Sequence, residues 1–105
     1  MKTRTIYLSG PMTGIPDFNR AAFNATAERL RLAGHKVFNP GEEEPPGSQH
    51  WSRMEWIIYD LLVMKDGNFD TLAQLPGWTG AHGACIEFHA AGMLGMEIMP
   101  EAEIA

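Results

Sequence analysis

Short apolar runs alternate along this chain with single stretches of helical periodicity, and this alternation restricts the fold more than any other feature. Four runs combine β-branched, aromatic or aliphatic residues and stop at glycine, proline or polar residues, at positions 5–9, 36–39, 69–75 and 96–99. Strands that are separated by one helix each form a parallel sheet with right-handed connections. The sequence therefore predicts an α/β domain in the order β-α-β-α-β-α-β, with about four parallel strands.

The first helix is predicted from a cap, a stop and an apolar stripe. Asp17 is the expected N-cap, and the helix is expected to run to about Ala33 and to end at Gly34. Apolar residues recur at three- and four-residue steps on the face expected to pack on the sheet: Phe18, Ala22, Phe23, Ala27 and Leu30.

The second and third helices are predicted in the same way. Ser52 and Glu55 match a capping box, which places the start of a second helix of about three turns. Its apolar residues have helical spacing: Trp51, Met54, Ile58, Leu61 and Leu62. The third helix should start near Ala81 and end near Gly95. Residues 65–68 are expected to form a turn, and the acidic loop at 41–47 is expected to be solvated and mobile.

The segment LPGWTGAHGACIE at positions 75–87 joins the third strand to the third helix. Its glycines would let a ligand approach the backbone, and a helix N-terminus favours negative charge. Glu87 is the chemical centre of this segment, although an exposed helical glutamate after an ordinary turn is the alternative. Since ligands gather at the carboxyl ends of parallel strands, Gly10 and Pro11 should meet this segment across a crevice between the first and third strands.

Composition limits the possible functions. A chain of 105 residues fits one domain, residues 1–105, and a net charge of −5 with scattered basic residues argues against nucleic acid or an anionic membrane surface as a partner. A small-molecule ligand is therefore expected. The single Cys85 cannot form an internal disulfide, and no apolar run reaches membrane-spanning length, so we expect a cytoplasmic protein. His82 and Cys85 form an isolated pair, and no metal site is expected.

Several motifs together resemble a known family. They are YLSGPMTG at 7–14, Phe18-Asn19 with Phe23, Asn39-Pro40, LPGW at 75–78 and GACIE at 83–87. In this combination the chain resembles small phage and bacterial relatives of the nucleoside 2-deoxyribosyltransferases, over nearly its whole length. The resemblance implies a flavodoxin-like or Rossmann-like three-layer sandwich, an oligomeric assembly and activity without a metal or organic cofactor.

The resemblance also implies catalytic roles. Glu87 would attack the anomeric carbon of a nucleoside or nucleotide, Asp60 would assist the departing base, and the Tyr7 hydroxyl would hold the nucleophile. The substrate-binding residues expected around the crevice are Ser9, Gly10, Pro11, Met12, Asn19, Gly77, Trp78, His82 and Gly83. From the residues alone, Tyr7 could instead be a core tyrosine, Asp60 a solvated helix residue and Trp78 a packing residue.

One position departs from the family pattern. Six residues before the nucleophile the transferases carry an aspartate and the nucleotide hydrolases a nearby serine, whereas this chain has Ala81. Hydrolysis of an N-glycosidic bond is the expected activity, with transfer as the less favoured reaction. A catalytically inactive nucleotide-binding module is the alternative. With Trp51, Trp56 and Phe88 the chain has more large apolar side chains than a thin four-stranded sheet can cover. We therefore also expect a homodimer through the second and third helices.

Overall fold

A computed structural model describes residues 2–105 and contains, over that range, one sheet of four parallel strands. The strands are β1 (Thr5–Ser9), β2 (Lys36–Phe38), β3 (Thr71–Gln74) and β4 (Glu97–Pro100). Their order across the sheet is β2-β1-β3-β4, and each neighbouring pair is parallel. The predicted α/β class and the small parallel sheet are therefore confirmed. Pro100 ends β4 at the sheet edge, where a missing N–H is tolerated.

Three α-helices lie within residues 2–105: α1 (Arg20–Leu32), α2 (Arg53–Asp66) and α3 (His82–Met93). The predicted capping box of α2 is present, because the Ser52 hydroxyl accepts the Glu55 N–H at 3.2 Å and the Glu55 carboxylate accepts the Ser52 N–H at 3.0 Å. No helix of this part of the chain has the length and apolar character needed to cross a membrane.

The sheet separates two buried clusters in the described chain. One contains Ile6 and Leu8 of β1 together with Phe23 of α1, and the other contains Tyr7 of β1 together with Met64 of α2. Because successive side chains of a strand point to opposite faces, α1 covers one face of the sheet and α2 and α3 cover the other. The result is a three-layer sandwich, as expected.

The topology places a crevice between β1 and β3. From β1 the chain passes through α1 to β2 on one side, then returns through α2 to β3 on the other side of β1. This reversal is the switch point at which ligands bind in open parallel sheets. Gly10 follows β1 closely packed against the end of β3, since a Cβ added there would lie 2.8 Å from Cβ of Leu75.

The start of α1 differs from the prediction. Asp17, Phe18 and Asn19 have φ values of 51°, 53° and 62°, so α1 begins at Arg20 and Asp17 is not its N-cap. The Asp17 carboxylate pairs with Arg20 at 2.8 Å instead. Phe18, placed by periodicity on the packed face, is 53% exposed, because the left-handed segment interrupts the helical phase. Ala22 is exposed as well.

Two further expectations are wrong in detail. Helix α2 continues to Asp66, so the predicted turn at 65–68 begins later, at Gly67. The acidic loop at 41–47 is not simply solvated, because Glu42 forms two hydrogen bonds with Arg31 and Glu43 accepts the Tyr59 hydroxyl at 2.6 Å. These bonds attach the loop to α1 and α2.

Several of the apolar residues whose spacing predicts α2 face solvent. Met54, Ile58 and Leu62 are 63%, 50% and 51% exposed, and Met64 is the residue of this helix that is fully buried. On α3, Met93 and Leu94 are exposed too. Residues four apart form one face of a helix, so these side chains present apolar surface on the α2–α3 layer.

We predict self-association through this layer. A dimer would remove the α2 stripe from water, so light scattering at micromolar concentration should give the mass of two chains. Ile58→Glu should return the protein to one chain, because it would bury a charge in the interface. The matched control is Leu32→Glu, which changes an 82% exposed leucine of α1 on the opposite face and should leave the dimer intact. A wild-type mass of one chain would refute the prediction.

Candidate active site

A buried carboxylate lies at the carboxyl edge of the two central strands. Glu87 of α3 is only 8% exposed, which excludes the alternative of an exposed helical glutamate. The Tyr7 hydroxyl donates to its Oε2 at 2.6 Å, and the Ser9 hydroxyl donates to its Oε1 at 2.7 Å. Hydrogen bonds of this length to a carboxylate are charge-assisted, so both oxygens of Glu87 are held in a defined orientation.

The alternation of β1 explains why these two hydroxyls converge. Tyr7 and Ser9 are two residues apart in the strand and therefore point to the same face of the sheet, the face that α3 covers. Tyr7 also packs against Phe38 and Phe69, with ring centroids 5.0 and 5.5 Å away. Tyr7 is thus a core tyrosine whose hydroxyl reaches the site, so the two interpretations of this residue are compatible.

Asp60 provides a second carboxylate from α2. It faces the same cleft as Glu87, and its Oδ1 is shielded from solvent without a hydrogen-bond partner in residues 2–105. Burial, followed by the negative charges of Glu87 and Glu43, raises the pKa of Asp60 to about 8. Asp60 is therefore not a solvated helix residue, and at neutral pH it carries a proton.

Opposing effects set the ionisation of Glu87. Burial raises its pKa to about 7, while the hydrogen bonds from Tyr7 and Ser9 act in the opposite direction by stabilising the charged form. Burial, with the charge of Glu87, also raises the pKa of the Tyr7 hydroxyl well above its usual value, so Tyr7 stays a neutral donor. The site can therefore hold one ionised and one protonated carboxyl group near pH 7, the pairing that acid–base chemistry uses.

The two carboxyl groups open onto a cleft of about 1300 Å³, large enough for a nucleoside-sized ligand. Its walls include the loop after β1, the loop between β2 and α2, the cleft face of α2, the loop after β3 and the first two turns of α3. Eight residues expected at the site from the sequence line it: Gly10, Pro11, Met12, Asp60, Gly77, His82, Gly83 and Glu87.

The other four expected residues lie elsewhere. Tyr7 and Ser9 are fully buried beneath the cleft and contact Glu87 rather than open space. Asn19 donates from its side chain to the Pro11 carbonyl at 3.0 Å and so supports the loop after β1. Trp78 lies outside the cleft, stacked on Phe88 with ring centroids 5.0 Å apart, which favours the packing alternative for this residue.

The cleft contains residues that sequence reasoning did not place there. Trp51 and Trp56 line it from the α2 side, together with Glu43 and Glu44 of the acidic loop. The signal in the sequence was the pair of tryptophans on either side of the capping box, but their size was interpreted as apolar surface for a dimer interface rather than for a ligand. In residues 2–105 no group of three or more histidine, cysteine, aspartate or glutamate residues could hold a metal ion.

One known protein family matches the chain over nearly the whole fold. The profile of the family described as "Domain of unknown function (DUF4406)" matches residues 4–100. The chain belongs to this family. The matched range of this DUF4406 chain includes all of β1 to β4, and with them Tyr7, Ser9, Asp60 and Glu87. A comparison with curated proteins finds no match.

The raised pKa of Glu87 in this DUF4406 domain predicts how stability depends on pH. Between about pH 4.5 and 7 the unfolded chain releases the Glu87 proton while the folded protein retains it, so the free energy of unfolding should fall as pH rises. The contribution of Glu87 is about 3 kcal/mol across this window. Glu87→Gln should remove it, as measured by urea unfolding at several pH values.

The control is Glu28→Gln, which changes an exposed glutamate of α1 and should keep the wild-type pH dependence. An identical pH dependence in wild type and Glu87→Gln would contradict the assignment of Glu87 as a buried group that titrates near neutrality.

Proposed function

We propose that this protein cleaves the N-glycosidic bond of a nucleoside or nucleotide, by hydrolysis rather than transfer. The observation that carries the proposal is the buried Glu87 carboxylate, with both oxygens oriented by Tyr7 and Ser9, at a cleft that also holds Asp60. The resemblance of the β1 and 83–87 motifs to nucleoside 2-deoxyribosyltransferase relatives supports the same chemistry. Two carboxyl groups of different ionisation are what glycosidic cleavage requires.

In the first step Glu87 acts as the nucleophile. Its oxygen forms an ester bond with the anomeric carbon, the carbon–nitrogen bond breaks, and the bonding electron pair leaves on the base. Asp60, protonated at neutral pH, donates its proton to the departing base. The Tyr7 and Ser9 hydroxyls hold Glu87 in place during attack.

In the second step a water molecule attacks the same carbon. Asp60, now ionised, accepts a proton from the water, the ester bond breaks, and Glu87 is released as a carboxylate. A second base that enters instead of water would give transfer. The cleft opens to solvent, and water is always available as an acceptor, so hydrolysis is the favoured outcome.

Ala81 supports the alternative function. It lines the cleft at the start of α3, where the related enzymes carry a carboxylate or a hydroxyl, and its methyl group can neither donate a proton nor bind phosphate. If Asp60 cannot replace the missing acid, the protein is a nucleotide-binding module without turnover. The melting temperature of such a module would rise when nucleosides or nucleotides are added, while chromatography would detect no released base.

The first functional prediction concerns Glu87→Gln. Release of free base from a panel of nucleosides and nucleotides should fall by orders of magnitude, because an amide cannot form the glycosyl ester. Ligand binding, followed by thermal shift, should change little. Tyr7→Phe keeps the buried ring and should lower the rate of base release by about one to two orders of magnitude, because one charge-assisted hydrogen bond to Glu87 is lost. Equal base release by wild type and Glu87→Gln would refute the proposed nucleophile.

A second prediction concerns the pH profile of kcat/KM. The rate should rise as Glu87 ionises near pH 7 and fall as Asp60 loses its proton near pH 8, which gives a narrow bell. Asp60→Asn should lower the rate and remove the decline on the alkaline side, because no acid is left to titrate there. If Asp60→Asn retains both the full rate and the alkaline decline, the proton comes from another group, and His82, which also lines the cleft, is the candidate.

A further inference from the structure

Two aromatic side chains form part of the cleft wall and have no role in the chemistry described above. Trp51 and Trp56, which we call the aromatic wall, line the cleft, and their ring centroids lie 4.9 Å apart. Tyr59 packs behind them at 5.4 Å from Trp51 and 6.1 Å from Trp56. A concave site with aromatic side chains beside polar groups is typical of a ligand-binding surface.

The aromatic wall is not part of the hydrophobic core. Neither tryptophan belongs to a core cluster of the described residues, and both are half-buried, whereas Tyr7 and Phe23 are completely buried. The hydrogen bond between Tyr59 and Glu43 joins α2 to the loop after β2, and this loop lines the cleft together with the two tryptophans. Large aromatic rings that the fold positions but leaves uncovered can contribute stacking energy to a ligand.

The ring arrangement and the position of the rings distinguish the aromatic wall from Trp78. Trp51 and Trp56 meet at 69°, edge to face, and Trp56 meets Tyr59 at 89°. Trp78 is different, because Phe88 lies nearly parallel to it at 25° and occupies one of its faces. Because Trp51 and Trp56 line the cleft and Trp78 does not, a planar ligand in the cleft would stack on the aromatic wall rather than on Trp78.

Helix spacing places the aromatic wall next to the proposed acid. Trp56 and Asp60 are four residues apart on α2 and both line the cleft, so they lie on one face of the helix about 6 Å apart along its axis. A base stacked on Trp56 would therefore lie near the Asp60 carboxyl group. In the proposed reaction, the group that must receive the Asp60 proton is an aromatic base.

We propose that Trp51 and Trp56 bind the leaving nucleobase by stacking, and that purine nucleosides are preferred over pyrimidine nucleosides. The proposal rests on the proposed N-glycosidic function. Stacking on an aromatic side chain strengthens the binding of any base, and a two-ring base has more ring area to overlap with the tryptophan than a one-ring base. Trp56 is thereby a specificity-determining residue, and Asp60 protonates the base that Trp56 holds.

Binding is tested first, without turnover. In the Glu87→Gln background, adenosine and cytidine are titrated while tryptophan fluorescence is recorded. Adenosine should quench the fluorescence at lower concentration than cytidine, and Trp56→Leu should weaken adenosine binding about tenfold. With Trp51→Phe and Trp56→Phe combined, Trp78 is the one remaining tryptophan of the chain, and the quenching should disappear. Quenching that persists in this variant would overturn the proposal.

Turnover provides the second test. Trp56→Leu should raise KM for adenosine about tenfold with a smaller change in kcat, and should reduce the preference for adenosine over cytidine. Trp56→Phe keeps an aromatic ring, so its KM for adenosine should be close to the wild-type value. This result separates stacking from a general folding defect. Leu32→Ala, which truncates an exposed side chain of α1, is the control and should leave both constants unchanged.

The outcomes separate this proposal from the proposed function. Adenosine binding that depends on Trp56, without base release from any nucleoside, would support the aromatic wall and refute the hydrolase. Base release with the same KM and the same base preference in Trp56→Leu would support the hydrolase and overturn the aromatic wall. A wild-type preference for cytidine would overturn the purine assignment.

Discussion

The site depends on the two hydrogen bonds that the buried Glu87 carboxylate accepts. Tyr7 and Ser9 donate these bonds from β1, 80 and 78 residues away along the chain. An unpaired carboxylate at such a position would be strongly disfavoured, so the two hydroxyls make its burial possible. Burial in turn raises the pKa of Glu87 to about 7, which couples the stability of the fold to the state of the site.

The parallel sheet brings the rest of the site to the same edge. The strand order β2-β1-β3-β4 changes direction at β1, so the loops after β1 and β3 leave the same edge of the sheet. These glycine-rich loops and the start of α3 surround Glu87. Asp60 arrives from α2, where burial and the charge of Glu87 raise its pKa to about 8. A proton donor and an ionised carboxylate therefore share one cleft, although this chain carries alanine at position 81.

The loop between β2 and α2 determines the shape of the cleft. Its residues 43–49 line the cleft, and the bond between Glu43 and Tyr59 joins the loop to α2. Trp51 and Trp56, which flank the start of α2, line the same cleft. On the outer side of the same helix Met54 and Ile58 are exposed, so α2 has one face that lines the cleft and another that presents apolar surface to solvent.

The sequence by itself determined the fold class, the strands and Glu87 as the centre of the site, because local alternation, glycine-rich turns and capping residues act over a few positions. Only the tertiary structure decided what covers each surface. The left-handed segment at 17–19 moved Phe18 out of the core, and long-range packing left the stripe at Met54 in solvent. Periodicity shows which residues share a helix face, whereas distant contacts decide which face meets the sheet, a ligand or water, so the position of Trp51 in the cleft followed only from the tertiary structure.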